Sequence, residues 1–404
     1  MHVSRDQRLR FYTTLLALLS VLLLLLAFSQ YGASVAGPIR ANDPLPFTSE
    51  YYGGLNERFG VGLTPGIRVS EDGVERPARI TDYDVDLLHI GWYANWGLDT
   101  QPLRPGGIKY AQMVLVRASL YPTNTLEITG TVAANPGDLW IVGNEPEAKY
   151  SQGNRTPGEY AQIYHDVYSM VKGLDPSAQV AVGGVVEPTP LRLQWLDLML
   201  DAYQNLYGHE MPVDVWNVHM QILQEKAGTP EDPTPWGAEI PAGLPHVDGM
   251  LYTIQDNANP ELFGQLVTGF RQWMKDKGFQ GKPLIVSEYG VLMPSDILAD
   301  GDTSRGDRMV MRFMRETFDF LANAVDPDLG YPADDYRLVQ QWLWYSLNDQ
   351  PFDGQRLGFN GSLFSHLDPK QMTIFGAVFR EYMHSLMGYP RIVLPGVWMH
   401  NPQG

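Results

Sequence analysis

Over residues 85–390 short apolar runs alternate with longer stretches in which apolar residues recur every three or four positions. The runs at 87–92, 111–116, 139–143, 180–186, 213–220, 284–287 and 338–345 are rich in Val, Ile, Leu and Trp. Such runs predict strands of a parallel sheet buried on both faces. The intervening stretches predict helices. In the first, Thr156 is the N-cap, Pro157 lies in the first turn and Glu159 completes a capping box. Tyr160, Ile163, Tyr164, Val167 and Val171 then share one face, and Asp175-Pro176 ends the helix. Further helices are predicted at 193–203, 260–275, 308–324 and 373–386.

Repeated strand–helix units over this span predict an α/β fold, a (β/α)8 TIM barrel forming a single catalytic domain at 85–390. The alternative, a doubly wound sheet, needs a glycine-rich phosphate loop after its first strand. Here the first predicted strand runs into Trp92-Tyr93-Ala94-Asn95-Trp96, which cannot cradle a phosphate. Gly183-Gly184 lies inside a strand pattern and reads as a place of close approach. Residues 37–84 are rich in Pro, Gly and charge and read as a linker and irregular lead-in, with a short strand around 67–69. Residues 391–404 read as a tail.

The N-terminus reads as an address. Arg5, Arg8 and Arg10 precede an apolar run at 11–28, and small residues follow at Ser34-Val35-Ala36. The run's length lies between a signal-peptide core and a spanning helix. Residues 1–36 are therefore a signal peptide or an N-terminal membrane anchor. Either places the rest of the chain outside the cytosol.

Composition narrows the function. With no Cys among 404 residues, disulfides and Cys-ligated metals are excluded. A formal charge of −17 without a basic stripe argues against nucleic acid as a partner. The nine His do not cluster at ligand spacing, so no metal and no cofactor is expected. No Gly-x-Ser-x-Gly elbow occurs, and nothing indicates a protein partner. Ten Trp and 21 Tyr suit stacking on uncharged rings, although cores use them too.

In a barrel, chemistry sits at the C-terminal ends of strands. Two glutamates stand there: Glu145 in Gly143-Asn144-Glu145-Pro146, and Glu288 in Ser287-Glu288-Tyr289-Gly290. Each motif alone is an ordinary turn. Together they lie three strands apart, where they can flank one substrate bond. A pair about 5–5.5 Å apart serves double displacement through a covalent glycosyl-enzyme; a wider pair serves attack by water.

With these motifs the chain resembles the clan A retaining glycoside hydrolases, barrels with catalytic Glu on strands four and seven. The resemblance covers about residues 87–386. It implies Glu145 as acid/base, Asn144 as ligand of the sugar 2-hydroxyl, Glu288 as nucleophile with Tyr289 beside it, and Trp344 as the aromatic floor of the sugar site. The segments Trp92-Tyr93-Ala94-Asn95-Trp96 and Tyr110-Ala111-Gln112-Met113 loosely resemble the opening strands of the branch acting on β-1,3-glucans. Clan members often carry His-x-Tyr after strand six; this chain has His219-Met220-Gln221, so Gln221 offers an amide in place of the phenol.

Other candidates carry two readings each. His219 is a site imidazole or a satisfied core residue. Arg117 keeps the nucleophile ionised or forms a surface ion pair. Trp92, Trp96 and Trp140 are sugar platforms or core. Asp349 and Asp353 contact hydroxyls or face solvent. The stretch 224–249 is the expected specificity loop. The expected function is hydrolysis of a neutral poly- or oligosaccharide with retention, outside the cell or anchored to its membrane. The alternatives are a non-catalytic carbohydrate-binding scaffold on a barrel and a metal-assisted hydrolase.

Overall fold

The computed structural model of the chain describes residues 54–71, 74–150, 152–228, 236–352 and 358–389. The address at 1–36, Asp353 and the tail at 391–404 lie outside the described residues. Among the described residues no helix is long and apolar enough to cross a membrane.

Eight parallel strands form the barrel: β1 (Phe59–Gly62), β2 (Trp92–Ala94), β3 (Lys109–Val114), β4 (Leu139–Asn144), β5 (Gln179–Gly184), β6 (Trp216–Met220), β7 (Leu284–Tyr289) and β8 (Gln341–Trp344). Their order is β5-β4-β3-β2-β1-β8-β7-β6. Parallel bridges Ala181–Val215 and Val185–Val218 join β5 to β6 and close the ring. Six long helices follow strands three to eight: α1 (Thr125–Ala134), α2 (Pro157–Leu174), α3 (Pro190–Tyr207), α4 (Pro260–Asp276), α5 (Thr303–Asn323) and α6 (Ile374–Leu386). The capping box of α2 forms as predicted: Thr156 Oγ1 accepts from Glu159 N at 3.4 Å and Glu159 Oε2 from Thr156 N at 2.9 Å.

The barrel starts earlier than the pattern suggested. β1 lies within 37–84, so that segment is not only a linker; it supplies the first barrel strand and the hairpin Arg68–Glu71/Val74–Pro77. The residues at 85–88 form a 3-10 turn, and the strand there is only Trp92–Ala94. With β1 counted, Glu145 follows strand four and Glu288 lies in strand seven.

Strand alternation sorts side chains into two cores. Trp92, Ala94, Ala111, Met113, Ile141, Ala181, Val215, Ile285 and Leu343 fill the barrel. Trp140, Trp216, Tyr289, Trp342 and Trp344 point outward and pack beneath the helices. At the N-terminal end the buried guanidinium of Arg58 grips Asp334 through two bonds of 2.7 and 2.6 Å, pinning the entry of β1 beside that of β8. A bidentate, buried pair of this kind fixes geometry where one strand is only four residues long.

Candidate active site

The two glutamates meet at the C-terminal mouth. One side-chain donor atom each from Glu145, His219 and Glu288 lies within 4.8 Å of the others. That spacing falls at the retaining end of the carboxylate range, about 5–5.5 Å.

Local backbone features aim each group. Glu145 itself has φ of 41°, in the left-handed region that side chains other than glycine rarely adopt. Pro146 then stops the ladder, and the Glu145 carbonyl accepts from Ala148 N and Gly153 N. In β7 the register slips against both neighbours, between Val286 and Glu288 on one side and between Val286 and Tyr289 on the other. A bulge at this point turns Ser287 and Glu288 to the same inner side. Both reach His219, while Tyr289 faces the outer core.

Side chains from β2 and β6 and the residues just after them support the carboxylates. Trp96 Nε1 donates to Glu288 Oε2 at 3.0 Å and to Asn144 Oδ1 at 3.1 Å. Gln221 Nε2 donates to Glu288 Oε1 at 2.7 Å. His219 pairs Nδ1 with Glu145 Oε1 and Nε2 with Ser287 Oγ, each at 3.1 Å. Asn217 Oδ1 accepts from Ser287 N at 3.2 Å. Glycines make the space: a Cβ on Gly184 would lie 2.5 Å from the His219 ring, and one on Gly62 would lie 2.5 Å from the Trp96 ring. The close approach read into Gly183-Gly184 is thus a seat for His219.

Burial raises the Glu288 carboxyl to about 7; the positive charge of His219 opposes this and the negative charge of Glu145 adds to it. Burial would depress His219, but Glu288 and then Glu145 outweigh it and the imidazole is raised. Two N–H donors on the two oxygens of Glu288 stabilise its anion. Gln221→Ala removes one of them. We expect kcat/KM to fall about 10–100-fold, the value of a hydrogen bond to a charged group, with folding intact by circular dichroism.

Several expectations need correction. Trp344 is fully buried in the outer core, against Tyr289 and with Nε1 on the Gly361 carbonyl, so it does not floor the site. Tyr289 is core for the same reason: both residues sit on the outward phase of their strands. Trp92 fills the barrel interior and donates to the Arg58 carbonyl; Trp140 is outer core. Neither can meet a sugar. Arg117 is exposed and donates to Gln152; the charge that favours ionised Glu288 comes from His219. Asp349 is buried, taking the Tyr345 hydroxyl at 2.8 Å.

The aromatic that reaches the mouth from β8 is Tyr345, whose ring meets Trp96 edge-on at 5.4 Å. Ser287 and Asn217 were also not singled out from the sequence. For Asn217 a signal existed: in 216–221 the apolar residues Trp216, Val218 and Met220 alternate strictly with Asn217, His219 and Gln221. Ser287 breaks alternation through the bulge and leaves no such trace.

No protein-family model matches the chain. A stretch of 98 residues, 24% of this chain, is 30% identical to the intracellular exo-alpha-(1->5)-L-arabinofuranosidase of Acetivibrio thermocellus, and it spans only 17% of that protein. Among solved structures, the chain is similar to a GH128 (subgroup II) endo-beta-1,3-glucanase from Sorangium cellulosum, with 15% identity, 80% of this chain and 98% of that one covered, and a TM-score of 0.47. It is similar to a monomeric beta-xylosidase from Caulobacter crescentus, with 15% identity, 81% and 67% coverage and a TM-score of 0.49. Xylanase 10B from Thermotoga petrophila matches at 12% identity, 81% and 94% coverage and a TM-score of 0.47.

Proposed function

We propose that this chain is a retaining glycoside hydrolase. The observation that carries the reading is the pair Glu145/Glu288, within 4.8 Å at the mouth of a parallel barrel, with both oxygens of Glu288 held by N–H donors. Glu288 attacks the anomeric carbon and forms a glycosyl ester. Glu145 gives its proton to the departing oxygen. It then takes a proton from water, which attacks the same carbon and releases Glu288. Asn144, held by Trp96 beside the pair, presents its amide to the sugar hydroxyl next to the reacting carbon.

The test is hydrolysis of a panel of aryl glycosides and neutral glucans by wild type, Glu145→Gln and Glu288→Gln. Full activity in both variants on a substrate that wild type cleaves would sink the assignment. Because attack needs ionised Glu288, kcat/KM on the acid side should fall as pH drops through about 7, the region to which burial moves this carboxyl. An acid limb near the ordinary carboxyl value of 4.5 would contradict that.

One observation favours a second reading. Glu145, His219 and Glu288 could together hold a divalent cation. The donors on Glu288 and the engagement of both His219 nitrogens suit an anion better. Loss of activity in EDTA, restored by a divalent ion, would favour the metal-assisted route.

The placement of the enzyme follows from Arg5, Arg8, Arg10 and the apolar run at 11–28: it works outside the cytosol, as a released protein or held by that run. Fractionation of cells expressing the full chain separates the two, and activity confined to cytosol would refute both.

A further inference from the structure

Gln221 bonds the catalytic carboxylate, yet little holds its own side chain. Nε2 donates to Glu288 Oε1 at 2.7 Å, and Gln221 Oε1 has no protein partner among the described residues. The direction of this amide is therefore set by the backbone that carries it. That backbone turns sharply: Ile222, the next residue, has φ of 50°. A β-branched residue in the left-handed region is strained, and it persists only where its surroundings over-determine it.

Two buried side chains do so. On one flank Glu187 Oε2, in the loop after β5, accepts from Leu223 N at 2.9 Å. On the other stands Asn257, fully buried in the 3-10 turn Gln255–Ala258 just before α4. Asn257 Nδ2 donates to the Gln221 carbonyl. Asn257 Oδ1 accepts from Leu292 N at 2.8 Å and from Met293 N at 3.1 Å. These partners fix which way the amide points, since a flipped one would set donor against donor and oxygen against oxygen. The ladder between β6 and β7 ends at Met220 and Tyr289, before either contact. Past that end, Asn257 ties the exit of β6, which carries the donor Gln221, to the exit of β7, which carries the acceptor Glu288.

We propose that Asn257 is a positioning residue for the nucleophile: it acts through Gln221 and sets the approach of that amide to the Glu288 carboxylate. This rests on the glycosidase reading above.

The experiment is a double-mutant cycle on an aryl glycoside that wild type cleaves. Wild type, Asn257→Ala, Gln221→Ala and the double variant are compared, each with a full pH profile. Asn257→Ala should lower kcat/KM about 10-fold, the worth of a hydrogen bond to a charged group. The acid limb, near 7 in wild type, should move to higher pH, because the anion of Glu288 loses a donor. In the Gln221→Ala background the same substitution should change kcat/KM less than about twofold and leave the limb in place. Its cost in Tm, from Gln221 O, Leu292 N and Met293 N left without their partner, should be alike in both backgrounds. Asn257→Ser keeps a polar group near these atoms but cannot span them, and it is read in the same way where Asn257→Ala folds poorly. A loss that does not depend on Gln221, an unmoved acid limb, or activity equal to wild type would overturn the inference and leave the glycosidase reading standing. Cleavage of no aryl glycoside by wild type would overturn both.

Discussion

Glu288→Ala should lose on the order of 10^4-fold or more in kcat on every substrate, because the covalent intermediate cannot form. Sodium azide should restore turnover by entering the space of the missing carboxylate. Azide then attacks the anomeric carbon as the aryloxide leaves, and the product is a glycosyl azide of inverted configuration. Glu145→Gln should behave differently. Its loss in kcat/KM, which reports the first step alone, should be about 10^2–10^4-fold for poor leaving groups and small for a dinitrophenolate that needs no proton. The asymmetry follows from the site. Glu288 carries N–H donors on both oxygens, which suits an anion, whereas Glu145 faces His219. Equal losses on both leaving groups for Glu145→Gln would place the acid elsewhere.

Arg192→Met should destabilise the protein by about 3–5 kcal/mol, or on the order of 10 °C in Tm, by stranding buried carboxylates. Arg192, Glu147, Glu187 and Glu225 are all fully buried behind the mouth. Arg192 Nε donates to Glu147 at 2.8 Å, its Nη1 bonds Glu225, and Thr189 Oγ1 donates to Glu225 at 2.5 Å. The network ties the loops after β4, β5 and β6 together, so Glu145 and the loop at 224–249 share one anchor. Burial would depress the guanidinium, but Glu147, Glu225 and Glu187 together raise it. One cation faces three acids. Burial accordingly pushes Glu187 up to about 8, with Arg192 opposing and Glu225 adding. A carboxyl raised on folding stabilises below its unfolded value and loses that contribution as pH rises through its folded one. Stability should therefore decline from about pH 4.5 to about 8, and Glu187→Gln should flatten the decline. Melting curves over this range check both variants; Arg192→Met within about 1 kcal/mol of wild type would show the network to be dispensable.

The parts of the fold legible from sequence are those where a single rule decides. Runs rich in apolar residues marked β4 to β8, and the Thr156-Pro157-Glu159 box marked the start of α2. Both glutamates were found because they end apolar strands. β1 was hidden because half of Phe59-Gly60-Val61-Gly62 is glycine in a glycine-rich stretch. The Gly62 position that weakens its strand signal is what admits the Trp96 ring. Trp344 was misplaced by one residue, and in a strand one residue changes the face. The bulge in β7 turns Ser287 inward, and no local sequence rule announces it. His219 and Gln221 were readable from strand-end position, but their partners depend on how β6 and β7 align in space.

The stereochemistry of the first product tests the role of Glu288 most directly. Proton NMR of the anomeric signal, followed during the early minutes of hydrolysis of an aryl glycoside that wild type cleaves, reads it before mutarotation. A pair within 4.8 Å predicts that the sugar released first keeps the configuration of the substrate. First appearance of the opposite anomer would mean direct attack by water, and would contradict Glu288 as a nucleophile.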